Sequence, residues 1–423
     1  MESGDNRASD RPAADGLTRR AVLAGAVGLG VGAGIDHVVA KGAGSPAPAP
    51  ASASVPFYGA HQAGIATPAQ DYMSFAAFDL TTSSPAELQA LLRTWTAAIA
   101  ELAAGRPYEP RELTAGEPPQ DPGEALGLGP AALTVTVGFG PGVFASGRYG
   151  LIAKAPPELR DLPPFPGDQL DPARSGGDIA LQACADDPQV AFHAVHVLAG
   201  LAAGTARLRW TQLGFGRTSS TTQGQTTPRN LMGFKDGTDN IRAEDTAAMD
   251  GYVWAQPQDG VQWMTGGTYL IARRIRIRFD VWDATSLEAQ EQVIGRRKLT
   301  GAPLGGAREY DPVNLAARGP SGQVLIPNNA HIRIASPENN GGQRLLRRGY
   351  SYSEGNDPAT GKLDAGLFFI AFQRSPTRQF IPVQDRLAAF DALNRHTVHT
   401  TSAIFACPPG PRAGGYIGEG LFA

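Results

Sequence analysis

The sequence predicts an α+β fold made of two ferredoxin-like domains, antiparallel sheets with helices packed on them. Three observations carry that prediction. Between Asp71 and Phe215 the apolar periodicity runs strand, helix, strand, strand, helix, strand, the split β-α-β pattern. Between Gly267 and Ala406 the same alternation returns, with helical stretches set among short strands of period two. Between the two lies a polar, glycine-bearing segment, Asn230 to Asn240, which separates the halves. At 423 residues the chain has the length for two domains.

Residues 1–56 precede the folded sequence. Arg19-Arg20 stands ahead of an apolar, Gly- and Ala-rich run ending near Gly34, and a low-complexity tail, AGSPAPAPASAS, follows. That is the layout of an export signal and not of a spanning helix. The arginine pair resembles the twin-arginine address, with Val22 where that pattern usually has Phe or Leu. The N-terminal domain is assigned to residues 57–230. In it Asp71–Thr81 reads as a strand and Pro85–Ala104 as a helix with Leu88, Leu91, Leu92 and Trp95 on one face. Leu133–Phe139 and Asp178–Cys184 follow as strands, Pro188–Ala203 as a helix and Ala206–Phe215 as a strand; residues 105–130 and 157–177 read as loop. The C-terminal domain is assigned to residues 231–423. Gly267–Asp280 is its first strand, with Arg274, Arg276 and Arg278 on one face and Ile275 and Ile277 on the other. Ser286–Arg297 is helical. His331–Ala335 and Leu345–Tyr350 read as strands joined by a polar loop, because His331-Ile332-Arg333-Ile334 alternates and Asn339 to Gly342 breaks the pattern. Gly366–Gln373 is an apolar strand, Val383–Arg395 a helix and Ser402–Ala406 a short strand.

Composition excludes several classes. A net charge of −3 with no basic tail speaks against a nucleic-acid binder. Beyond the N-terminus no apolar run is long enough to span a membrane. The two cysteines, Cys184 and Cys407, show no metal-ligand spacing, and whether they pair stays open. The H-x-x-H pairs His193/His196 and His396/His399 have no sequence neighbour that completes a zinc pattern and read as structural.

Three side chains offer chemistry. A neutral imidazole such as His331 is a good axial ligand for haem iron. Arg347 stays charged and can stabilise an anion. Asp236, between Gly233 and Gly237, can carry a proton, although Asp-Gly is also a common turn dipeptide.

These residues carry a resemblance. Gly233-Phe234-Lys235-Asp236-Gly237 is similar to the GxxDG motif of the dye-decolourising (DyP-type) haem peroxidases. His331 in HIRIASP and Arg347 in LLRRGYSY match that family's proximal histidine and distal arginine, in the same order. FYGAHQAGIATP, FPGDQLDPARSGGDIALQACADD, GRRKLTGAPLG and SAIFACPPG also look like family segments. The export signal resembles that of the twin-arginine-exported subgroup, which includes the iron-uptake-linked deferrochelatases.

The resemblance implies two ferredoxin-like domains of the dimeric α+β barrel type and one haem b per chain, mostly in the second domain. It implies oxidation of dyes, phenols and other bulky aromatic donors by hydrogen peroxide through a ferryl intermediate. The alternative is a deferrochelatase that releases iron from haem, with secondary peroxidase activity. By the resemblance His331 is the iron's axial ligand, Asp236 the proton carrier and Arg347 the stabilising cation. Gly237, Thr238, Ser336 and Pro337 would touch the porphyrin, and Leu367 and Phe369 would wall the distal pocket. The other ring nitrogen of His331 needs an acceptor; Asp391 is the candidate, with Asp385 as second choice. Tyr350 and Tyr352 can relay an oxidising hole, though packing is the commoner role of strand tyrosines. A related fold, that of chlorite dismutase, lacks the acid that Asp236 supplies, and a non-catalytic binding module would purify colourless. Implied partners are hydrogen peroxide, small aromatic reductants, the twin-arginine translocase, and an iron-uptake or copper-redox protein.

The signal is directly testable. Arg19→Lys with Arg20→Lys should leave the precursor inside the cell, as followed by immunoblots of cellular and exported fractions; unchanged export would exclude the twin-arginine route.

Overall fold

The computed structural model describes residues 53–109, 115–145, 147–358 and 360–423, so Arg19, Arg20 and the rest of the proposed signal up to residue 52 lie outside the described residues. In the first half, β1 (Tyr72–Leu80), β2 (Thr134–Phe139), β3 (Ile179–Ala185) and β4 (Ala206–Arg217) pair antiparallel in the order β4-β1-β3-β2. In the second half, β5 (Thr268–Ile277), β7 (Tyr350–Asn356), β8 (Leu363–Gln373) and β10 (Ala403–Cys407) take the order β10-β5-β8-β7. Counted within each half, both orders are fourth, first, third, second, which is the ferredoxin-like arrangement. Short strands β6 (Leu346–Arg347) and β9 (Thr397–His399) pair with β8 and β5.

The two half-sheets join at both edges. Phe215 pairs with Ser351 and Arg217 with Tyr350 along one seam, and Ala406 pairs with Phe139 along the other. The eight long strands therefore close into a barrel, which leaves no unpaired long edge among the described residues.

Alternation along the strands then sorts the apolar residues. Phe75, Trp210, Tyr350, Tyr352, Phe368 and Phe405 fill the interior. The opposite strand faces of the first half, with Phe78 and Leu181, pack against helices Pro85–Ala103 and Pro188–Leu201. The first helix starts where sequence predicts, with Ser84 capping the Glu87 amide and Leu88, Leu91, Leu92 and Trp95 all buried. Cys184 and Cys407 are buried free thiols. Among the described residues no helix is long and apolar enough to cross a membrane.

Several expectations need correction. His331–Ala335 is a helix, not a strand. Its alternation spans barely one turn, too short to separate a period of two from one of 3.6. The Ala330 carbonyl accepts the Arg333 and Ile334 amides at 3.0 and 3.1 Å, and Ile332 packs into a local cluster with Leu304 and Ile326 instead of onto a sheet. The expected strand Leu345–Tyr350 is two strands interrupted at Arg348-Gly349, where the buried Arg348 guanidinium turns inward to the carbonyls of Thr67 and Pro68. β5 stops at Ile277, and Phe279–Asp283 is already helical. The last long helix runs Phe380–Phe390, and Asp391 starts a separate 3-10 turn. Helix Thr246–Tyr252 had no clear signal in its sequence.

Closure leaves β8 no slack. A Cβ at Gly366 would fall 2.0 Å from the Ile275 carbonyl oxygen on β5. Gly366→Ala should therefore destabilise the protein by about 1–3 kcal/mol, read as a lowered midpoint in urea unfolding.

Candidate active site

His331 opens its short helix directly beside the end of helix Phe380–Phe390. Asp391, just past that end, uses both carboxylate oxygens. Oδ1 accepts the Leu393 amide at 2.8 Å, and Oδ2 lies 2.6 Å from His331 Nδ1. A carboxylate can only accept, so Nδ1 carries the proton and Nε2 is left with a free lone pair. Asp391 is buried and about a third of the His331 side chain (35%) is solvent-accessible. Burial alone would depress the imidazole's pKa; the Asp391 carboxylate outweighs it, so the group sits above its ordinary value. Smaller contributions of opposite sign come from Asp236 and Arg347, whose charges reach His331 through space. Asp385 is exposed on its helix.

Asp236 and Arg347, far apart in sequence, meet at 2.9 Å between Oδ1 and Nη1. Asp236 Oδ2 also accepts Asn230 Nδ2 at 3.1 Å. The turn that presents Asp236 needs Gly237, which sits at φ +85° with Ser219 Cα only 2.9 Å from where a Cβ would be. Arg347 is held through its backbone: Asn240 Oδ1 accepts its amide at 2.8 Å, and Asn240 Nδ2 donates to its carbonyl at 2.8 Å. Both charged side chains keep some solvent exposure, 28% for Arg347 and 18% for Asp236. The neighbouring Arg348 is sealed in the interior.

One more acid shapes this segment. Glu309 accepts from Lys235 Nζ through one oxygen and from Thr238 Oγ1 at 3.2 Å through the other, so it grips the chain on both sides of Asp236. Burial pushes its pKa up, but the lysine bond and the hydroxyl contacts prevail and hold it below its ordinary value. Leu367 and Phe369 are half-buried on the face of β8 opposite Phe368 and Ile370, with the Phe369 ring 6.1 Å from that of Phe380. Ser336 follows the His331 helix and caps the turn that begins at Pro337.

The structure thus brings His331 to Asp391 and Asp236 to Arg347, and places Gly237, Thr238, Ser336 and Pro337 next in chain to those groups. Sequence reasoning missed Asn230, Asn240 and Glu309. The two asparagines bracket the GFKDG segment, a signal that was available; Glu309 lies in a loop without periodicity.

Tyr352 is fully buried in the barrel, its hydroxyl unpartnered among the described residues and its ring 4.1 Å from the Arg274 guanidinium. A cation on the ring and no proton acceptor both oppose oxidation, so this environment favours packing. His193 and His196 have acid partners that sequence spacing did not show. Glu124 lies 2.7 Å from His193 Nδ1 and 2.5 Å from His196 Nδ1, tying a loop to the helix. No group of acids, histidines or cysteines among the described residues is arranged to hold a metal ion.

The donors present fit a haem. They are an imidazole with a free Nε2 and a buried carboxylate behind it, an acid–guanidinium pair within electrostatic range, and half-exposed apolar side chains on β8.

Comparison with known proteins agrees. Residues 62–216 match the family described as Dyp-type peroxidase, N-terminal, and residues 227–412 that described as Dyp-type peroxidase, C-terminal. A protein named Dye-decolorizing peroxidase from Thermobifida fusca is 43% identical over 374 residues, covering 86% of this chain and 84% of its own. A protein named Deferrochelatase from Escherichia coli is 37% identical over 372 residues, covering 86% of each chain. Among solved structures, ferric DtpA from Streptomyces lividans superposes with a TM-score of 0.81 at 40% identity, over 90% of this chain and 100% of that one. A DyP-type peroxidase from Cellulomonas bogoriensis gives 0.78 at 43% identity, over 88% and 99%. The closed sheet with outer helices is of the dimeric α+β barrel type.

Glu309 makes a prediction with a definite sign. Its depressed pKa means that its stabilising contribution is present above the ordinary value of 4.5 and lost as pH falls through the lowered value. Glu309→Gln cannot titrate, so its urea midpoint should fall less steeply than wild type below pH 4.5.

Proposed function

This chain belongs to the Dyp-type peroxidase family, and from that premise we propose that it is a haem b peroxidase, with dyes, phenols and other bulky aromatic donors as reductants of hydrogen peroxide. The observation that carries the proposal is the Asp236–Arg347 pair at 2.9 Å, within electrostatic reach of the His331–Asp391 pair.

His331 would hold the haem through Nε2, because Nδ1 is committed to Asp391. The Asp391 carboxylate raises the imidazole's basicity and fixes its orientation. Gly237 and Thr238, with Ser336 and Pro337, would line the porphyrin. Bound there, the haem would supply the redox chemistry, two electrons to peroxide that the aromatic donors return.

The residues of the chain manage the protons and the charge. Asp236 takes the proton that peroxide sheds and returns it to the oxygen that leaves as water, acting as general base and then general acid. Arg347 cannot share that task, since its guanidinium does not release a proton. It offsets the negative charge on the peroxide anion and on the departing oxygen. The bond between the two matters in its own right: it aims the carboxylate and the cation at one point. Leu367 and Phe369 add apolar surface beside them. With two protons and two electrons, one peroxide becomes two waters.

The identity of 37% to proteins named Deferrochelatase supports a second reading, release of iron from haem in the same pocket. Incubation with haem distinguishes the two: free iron with intact porphyrin would assign the second. The proposal also has the protein exported by the twin-arginine route with the translocase as partner, supported by Arg19-Arg20 ahead of the apolar run. An iron-uptake or copper-redox protein is the partner class that would follow.

Three variants test the assignment. His331→Ala should lose the haem or release it readily, seen in the visible spectrum. Asp236→Ala should keep the haem and react with peroxide about 10²–10⁴-fold more slowly in stopped-flow mixing. Arg347→Leu should also keep the haem and react more slowly. Wild-type peroxide kinetics in both distal variants would rule out this division of roles.

A further inference from the structure

Arg296 is 7% exposed, yet it has no ion-pair partner among the described residues. Its Nη1 donates to the carbonyl oxygens of Gly301 and Glu309 at 2.8 and 3.1 Å. Nε and Nη2 meet no acceptor among the described residues. Glu309, whose backbone carbonyl Arg296 contacts, has its carboxylate occupied by Lys235 and Thr238. Asp239 and Glu309 act on Arg296 only through space, and Arg347 repels it. The guanidinium is largely withdrawn from water and only its free edge stays open, a costly placement for a charge without a counter-ion. An anion at its free edge would remove that cost.

The position says which anion. Gly295, the residue before, packs so tightly on Ile332 that a Cβ there would sit 2.6 Å from Ile332 Cγ1. Ile332 is next to His331, the candidate axial ligand. Arg296 is also close enough to Arg347 for the two charges to interact. Arg296 therefore lies near both the proximal helix and the distal pair. A haem held between those two groups would carry its flexible carboxylate side arms at the ring's edge. Nε and Nη2 form the side-on fork of a guanidinium, the geometry that takes a carboxylate through two parallel hydrogen bonds. We propose that Arg296 binds a propionate carboxylate of the haem through Nε and Nη2. This rests on the haem reading above.

The test compares haem b with its dimethyl ester, which keeps the ring and the iron but lacks carboxylate charge. The full-length chain is loaded with each, and transfer to apomyoglobin is timed. Wild type should release the ester on the order of 10- to 100-fold faster than haem b. Arg296→Leu should release haem b faster and lose most of the difference, and Arg296→Lys, which keeps the charge but not the fork, should fall between. Full wild-type discrimination in Arg296→Leu overturns the proposal. So does equal release of the two porphyrins by wild type, a result that needs no variant to fold and leaves the haem reading standing. Failure of wild type to take up either porphyrin overturns the haem reading and the Arg296 assignment with it.

Discussion

The ladder between β5 and β8 sets the position of nearly everything that matters in this molecule. Eight consecutive residue pairs, Tyr269–Gln373 through Arg276–Gly366, lock the two strands in register. A shift of one residue would exchange the two faces of β8. Phe368, Ile370 and Phe372 would leave the barrel, and Leu367 and Phe369 would enter it. Arg347 sits opposite Ala371 on the same strand, so the register of β8 also fixes the cation of the site.

Around that frame the polar groups work in pairs of contacts. Asp391 caps a turn with one oxygen and holds His331 with the other; Asp236 meets Arg347 with one oxygen and Asn230 with the other; Glu309 spans Lys235 and Thr238. Each carboxylate joins a group with chemical use to a group with a structural one. Charged side chains with every oxygen satisfied lose rotamer freedom, and the site is correspondingly preorganised.

Much of this was legible in the residues. The order of elements follows from periodicity, because long helices such as Pro85–Ala103 and apolar strands such as β8 each present enough repeats to fix their period. GFKDG, His331 and Arg347 stood out as motif residues, and Asp391 as the acid behind His331 was inferred from what an imidazole ligand requires. What sequence could not yield is short or non-periodic. The five residues of the His331 helix alternate like a strand, and the decisive contacts of Ile332 and Arg333 are to a loop. Glu309 acts across 71 residues of chain, on Thr238, and nothing local in sequence marks such a contact. The acids beside His193 and His196 were hidden for the same reason.

The shared barrel interior has a thermodynamic consequence. The first half of the chain contributes none of the predicted site residues, yet its Phe75 and Trp210 pack in one cluster with Phe368 and Phe405 of the second. Neither half can open without exposing the other's aromatic surface, so the two unfold together. Any ligand that binds only the folded site then raises the free energy of unfolding for the whole barrel. The half that contributes none of those site residues is protected as fully as the half that does, and its amide exchange rates would report occupancy from a distance.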